Sequence, residues 1–227
     1  MLRVAGLGML GVLAATAPGP AAVSAPAPAA RQQSAEAILR HAAAAYRAVR
    51  SLRAGFVQVV KNPLLGGAIT SKGTIYQRRP DRFLMKFSDP AGDVLVSDGQ
   101  WFWIYYPSVD PKQVIRTPAA GAGQAVDLQA QFLGDPERRF SARLEGREAV
   151  AGRQAYVLDL TPRGSEAFKA LKLWIDPDDY LVRRFEITEQ NGSVRHLELS
   201  DLRVNVAAGD ALFRFAPPAG AHIVTRG

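Results

Sequence analysis

Residues 96–107 read VSDGQWFWIYYP: a Ser97-Asp98-Gly99 turn signal, then Trp101, Phe102, Trp103, Ile104, Tyr105 and Tyr106 without a break. In a strand, Trp101, Trp103 and Tyr105 project to one side and Phe102, Ile104 and Tyr106 to the other. A strand with one wet face alternates apolar with polar. This one is apolar on both sides, so both faces of the sheet that holds it need a cover. The expectation is that the row Trp101, Trp103 and Tyr105 lines a cavity, with Phe102 and Ile104 packed elsewhere.

Turn chemistry divides the chain every eight to twelve residues: Asn62-Pro63, Gly66-Gly67, Asp89-Pro90, Asp98-Gly99, Asp176-Pro177 and Asn191-Gly192. The segments between read as strands over 53–61, 68–79, 82–88, 93–97, 100–106, 112–116, 139–149, 153–161, 169–176, 179–190 and 194–206. Ahead of them, Ser34 caps a helix over roughly 35–51, with Glu36 in the first turn and Ile38, Leu39, Ala42, Ala45, Tyr46, Val49 and Leu52 at helical spacing. One later segment, Gln124 to Leu133, is helical in pattern and follows the small, flexible run 117–123. Short connections favour an antiparallel meander. About eleven strands are more than an open twisted sheet carries flat. The predicted fold is mainly β (α+β): a single curled antiparallel sheet forming an incomplete β-barrel, with an N-terminal helix and a helical lid.

The first residues have a different character. A basic start at Arg3, an apolar stretch Val4–Ala15 and an Ala/Pro-rich run Pro18–Ala30 read as a secretory signal peptide over 1–29, cleaved near 24 or 29, ahead of one domain over 30–227. The apolar stretch is far shorter than the ~20 residues that span a bilayer. The sequence has no cysteine, which excludes a lipid-modified cysteine, disulfides and thiol chemistry. The formal net charge is +7, of which only Arg3 belongs to the leader, and the basic pairs Arg78-Arg79, Arg138-Arg139 and Arg183-Arg184 are scattered. A nucleic-acid partner is not expected from that scatter. An exported, periplasmic monomer is.

No enzyme is expected. The histidines His41, His196 and His222 have no ligand spacing, and Asp176, Asp178 and Asp179 sit in a turn without the further oxygens of a calcium loop. No phosphate loop, Gly-x-Ser-x-Gly or metalloprotease helix occurs, and neither a metal nor a cofactor is expected. Surplus aromatic surface in a curled sheet points instead to a lipid or small-molecule cavity. Arg79, at a strand end beside apolar segments, is either a surface charge or a rim arginine holding a covering segment by bonds worth ~1.5–3 kcal/mol.

Several stretches together resemble the LolA family of periplasmic lipoprotein carriers. They are Gly73 with Arg79-Pro80 and Phe83, Pro90, Leu95-Val96-Ser97-Asp98-Gly99, Trp103-x-Tyr105-x-Pro107, Phe56-x-Gln58, and Phe213-x-Phe215-x-Pro217-Pro218-x-Gly220. The resemblance runs from about Ser34 to the C-terminus. It implies a half-barrel closed by a helical lid over a cavity for lipoprotein acyl chains. It also implies a latch arginine at Arg79 and cavity positions on or near Tyr46, Phe56, Tyr76, Phe83 and Met85. The implied partners are acylated lipoproteins, an inner-membrane lipoprotein-releasing ABC transporter and, where present, an outer-membrane receptor lipoprotein. Two departures stand out: Met85 occupies a place where the family commonly has tryptophan, and the lid segment 118–134 is smaller and more polar than is typical. The alternative is a periplasmic sensor of lipid or lipoprotein that regulates an envelope-stress partner; such sensors generally carry a second domain.

Overall fold

The computed structural model describes residues 33–64, 66–120 and 127–226. The expected leader and residues 121–126 of the expected lid lie outside them. Helix α1 (Ala35–Ala48) begins where expected: the Ser34 hydroxyl accepts the Ala37 N–H at 3.2 Å. It stops at Ala48, short of the expected 51, because Val49 is already extended and leads straight into the first strand. Its buried face carries Ile38, Leu39, Ala42, Ala43 and Tyr46, with small alanines where the helix lies close to its neighbours.

Twelve strands follow: β1 (Ser51–Asn62), β2 (Gly67–Arg78), β3 (Arg82–Asp89), β4 (Ala91–Asp98), β5 (Trp101–Tyr105), β6 (Gln113–Pro118), β7 (Phe140–Val150), β8 (Arg153–Pro162), β9 (Phe168–Ile175), β10 (Val182–Glu189), β11 (Val194–Val204) and β12 (His222–Thr225). Between β6 and β7 the described residues include the short helices α2 (Leu128–Leu133) and α3 (Pro136–Arg139), and a 3-10 turn covers Asp210–Phe213. The sheet order is β12-β6-β5-β4-β3-β2-β1-β11-β10-β9-β8-β7. All neighbours are antiparallel except β12, which lies parallel to β6. β12 and β7 are unpaired with each other, so the barrel is incomplete. The twelfth strand, α3 and the 3-10 turn went unpredicted; each is short. Among the described residues no helix is long and apolar enough to cross a membrane.

The opening stretch has a clear local logic. Gly99 takes φ +88°, which the β4–β5 turn requires, and Asp98 accepts the N–H groups of Gln100 (2.8 Å) and Trp101 (2.7 Å) and the Trp103 indole N–H (2.8 Å). Burial works to raise the Asp98 carboxyl, but these donors hold it below the usual carboxylate range.

The sheet has an apolar cluster on each side. On the concave side, residues such as Phe56, Phe83, Met85, Leu158, Leu173, Phe185 and Leu197 surround α1 and α2. On the convex side of β2–β6, Leu84, Val96, Trp103 and Val114 pack with Phe213, and Tyr76, Trp101, Tyr105 and Phe215 close the edge. The C-terminal segment is the convex cover: Phe215 lies 5.5 Å from the Trp103 ring and 5.9 Å from Tyr105. Arg78 fastens it, donating to the Ala208 carbonyl at 2.7 Å and pairing with Asp210.

Candidate functional site: an apolar pocket under a short helix

The concave side narrows to a pocket lined by Leu52 (β1), Ile75 and Gln77 (β2), Phe83 (β3), Val182 and Phe185 (β10), Leu197 and Leu199 (β11), and Phe132 and Leu133 from α2. The register explains the convergence. Phe56 sits opposite Leu199 and Gln58 opposite Leu197 across the β1–β11 ladder, so one side-chain face of each strand looks inward. Gly73 lies opposite Phe56, and a Cβ there would come within 2.0 Å of the Lys86 carbonyl oxygen and 2.8 Å of the Phe56 ring, so a side chain does not fit at this position.

The free space in the pocket is about 40 Å³. That is well below the ~150 Å³ of a cavity that holds benzene. Phe132 and Leu133 occupy the rest: Phe132 is 2% exposed, its ring 5.5 Å from Phe185 and 6.0 Å edge-on to Phe168. The helix that closes the pocket therefore also fills it.

Both ends of α2 are tied. Asp127 immediately precedes the helix, and its carbonyl accepts the Gln131 N–H at 2.8 Å. Its carboxylate accepts the Tyr46 hydroxyl from α1 and stands 3.9 Å from Arg79 Nε. The Arg79 guanidinium stacks 3.8 Å from the centre of the Tyr46 ring, and its backbone N–H donates to the Arg50 carbonyl at 2.9 Å. Burial first, and Asp127 second, push the Tyr46 hydroxyl far above the tyrosine range, so it stays a neutral donor. Among the described residues, Arg79 Nη2 is buried without a hydrogen-bond partner. At the other end, Arg139 donates to the Gln131 carbonyl while gripping Glu166 through two bonds of 2.9 and 2.8 Å.

The candidate residues divide into two groups. Tyr46, Phe56, Phe83 and Met85 all join the concave cluster, and Phe83 lines the pocket directly. Arg79 stands beside the residue that leads into α2, facing a carboxylate. Tyr76, Trp101, Trp103 and Tyr105 belong to the convex cluster instead. The expected cavity row is therefore reversed, with Phe102 and Tyr106 packing on the concave side. The cause is the tail: Phe213 and Phe215 cover the tryptophan row from outside. Their Phe-x-Phe spacing was the available signal for a second apolar surface in need of a partner. Asp127 went unnoticed because it falls inside the segment 124–133, whose helical pattern was read from its apolar positions and gives a lone carboxylate no distinction. Among the described residues no group of three or more His, Cys, Asp or Glu side chains could hold a metal ion.

The family model described as outer membrane lipoprotein carrier protein LolA matches residues 47–216. The chain belongs to the LolA family. Outer-membrane lipoprotein carrier proteins from Halorhodospira halophila and Dechloromonas aromatica are 32% and 30% identical over 180 residues. These matches cover 78% and 77% of this chain and 81% of each relative. Among solved structures, an uncharacterized conserved protein from Thermus thermophilus shares the fold with TM-score 0.53 at 19% identity, covering 86% of this chain and all of that one. MucB shares it with TM-score 0.50 at 20% identity, covering 84% of this chain and 65% of its own. The family is one of carriers rather than enzymes.

Proposed function

We propose that this protein is a periplasmic carrier that takes the acyl chains of lipoproteins into its concave pocket after their release from the inner membrane and hands them on at the outer membrane. The observation that supports it best is the double role of α2, whose Phe132 and Leu133 line and fill the apolar concave pocket while Asp127 is held by Tyr46 and Arg79. Each buried methylene contributes ~0.8 kcal/mol, so a chain of a dozen offers roughly 10 kcal/mol. A carrier must also release its load. A helix that competes for the same apolar surface lowers the net affinity, and Arg79 acts as the latch of the closed state. An inner-membrane ABC transporter supplies the load in this reading, and an outer-membrane receptor lipoprotein accepts it where one exists.

The carrier relatives, matched over about four-fifths of their length, favour this reading over a regulator. The test is release of a purified lipoprotein from spheroplasts into a soluble complex with the protein. A folded protein that releases nothing sinks the carrier reading.

A further inference from the structure

Above the pocket, the ladders carry one transverse row across the concave face: Ile69 opposite Val60, Val60 opposite Arg195, Arg195 opposite Ile187, and Ile187 opposite Leu171. Directly opposed residues share a face, so this row contains a single charged side chain between isoleucines, valine and leucine. Two residues further along β11, on the same face, Leu197 lines the pocket. Arg195 therefore stands at the border between the apolar concavity and solvent.

Its hydrogen bonding is incomplete. Nη2 reaches Glu189 at 3.3 Å, and the side chain is 43% exposed. Nε, by contrast, is buried and has no hydrogen-bond partner among the described residues. An arginine that only covered apolar neighbours with its stem would carry its N–H groups into water. A buried N–H without an acceptor costs about 1–3 kcal/mol, and an acceptor brought to it recovers that loss. Burial and Asp93 push the Tyr106 hydroxyl upward, and the Arg195 charge partly offsets them.

We infer that Arg195 is the docking point for the polar heads of bound acyl chains, its Nε–H donating to the carbonyl oxygen of an acyl ester. This deepens the acyl-carrier reading and rests on it. Chains inserted between Phe185, Leu197 and Leu199 leave the pocket past Arg195, so the first polar atoms of the ligand arrive where the open donor is. The apolar pocket binds any hydrocarbon, whereas Arg195 distinguishes an acyl chain from a plain alkyl chain.

The test uses the protein without its leader and two probes: a dipalmitoylglyceryl-cysteinyl peptide with ester-linked chains and its dihexadecyl ether analogue, which lacks both carbonyls. Wild type is expected to bind the ester probe about tenfold or more tightly than the ether. Arg195→Met removes that preference while leaving the ether affinity unchanged, with folding checked by thermal unfolding. Arg195→Lys, which keeps the charge but has no Nε–H, loses the preference as well. Dipalmitoyl phosphatidylethanolamine separates the two sources of this chemistry: a matched dependence on Arg195 extends the site to phospholipid heads, and independence confines it to the acylated cysteine. The inference is overturned if wild type binds both probes equally, or if the preference survives in Arg195→Met. If wild type binds neither probe, the acyl-carrier reading fails and takes this one with it.

Discussion

On the convex side, the Phe215 ring lies 5.5 Å from Trp103; on the concave side, the Phe132 ring lies 5.5 Å from Phe185. The contacts are alike, but the covers differ. The convex cover is a chain segment anchored at both ends. Arg78 holds its start, and β12 joins β6 at its finish, where the His222 N–H donates to the Lys112 carbonyl at 2.7 Å and the Arg226 N–H to the Arg116 carbonyl at 2.9 Å. The concave cover is a helix of six residues, too short to hold its shape without packing. Aromatic surface of the same quality is thus covered on one side by a segment laddered into the sheet, and on the other by a short helix tied through side chains.

The sharpest way to break that contrast is to truncate both covers' contacts. Trp103→Ala should cost about 3–5 kcal/mol in urea unfolding, as buried tryptophans do, and should leave acyl-probe affinity per folded molecule unchanged. Phe132→Ala should cost less than Trp103→Ala and tighten binding of a palmitoyl probe, because the helix no longer competes for the site. Equal stability losses with no gain in affinity would erase the distinction between core and plug.

Neighbouring arginines provide the next test, since Arg78 and Arg79 face opposite sides. Arg79→Leu weakens the closed state, so bound chains are held longer and transfer to an acceptor membrane slows about tenfold or more. Arg78→Ala loosens the tail, lowers stability by about 1–2 kcal/mol and leaves transfer per folded molecule intact. Transfer assays on both variants decide whether the latch belongs to one face only.

The smallest expected effect concerns Asp98. Its folded-state pKa lies below the unfolded value, so its contribution is present above the unfolded carboxylate range and disappears as pH falls through the folded pKa. Asp98→Asn should cost on the order of 1 kcal/mol at neutral pH and flatten the acid side of the stability curve. An unchanged acid limb in pH-dependent unfolding would show that the turn, not the charge, sets the β4–β5 register.

Much of this was readable from residue order. The helix cap at Ser34, the hairpin turns and the strands came from local chemistry, whereas the place of Arg79 at a strand end left a surface charge and a rim arginine both open. Alternation in 101–106 revealed two apolar rows but could not say which looks inward, because that is decided by Phe213 and Phe215 more than a hundred residues later. β12 escaped for a related reason: four exposed residues pairing in parallel with a distant strand leave no periodic trace. Asp127 acquires its meaning only when α1, the end of β2 and α2 meet.

The unjoined edges of the sheet have a mechanical consequence. A closed barrel fixes its girth by strand number and stagger. Here β7 and β12 share no ladder, so the curvature can relax like a leaf spring, each strand junction twisting slightly without one interstrand bond being broken. Girth becomes an elastic variable, and the width of the concave pocket can change at graded cost.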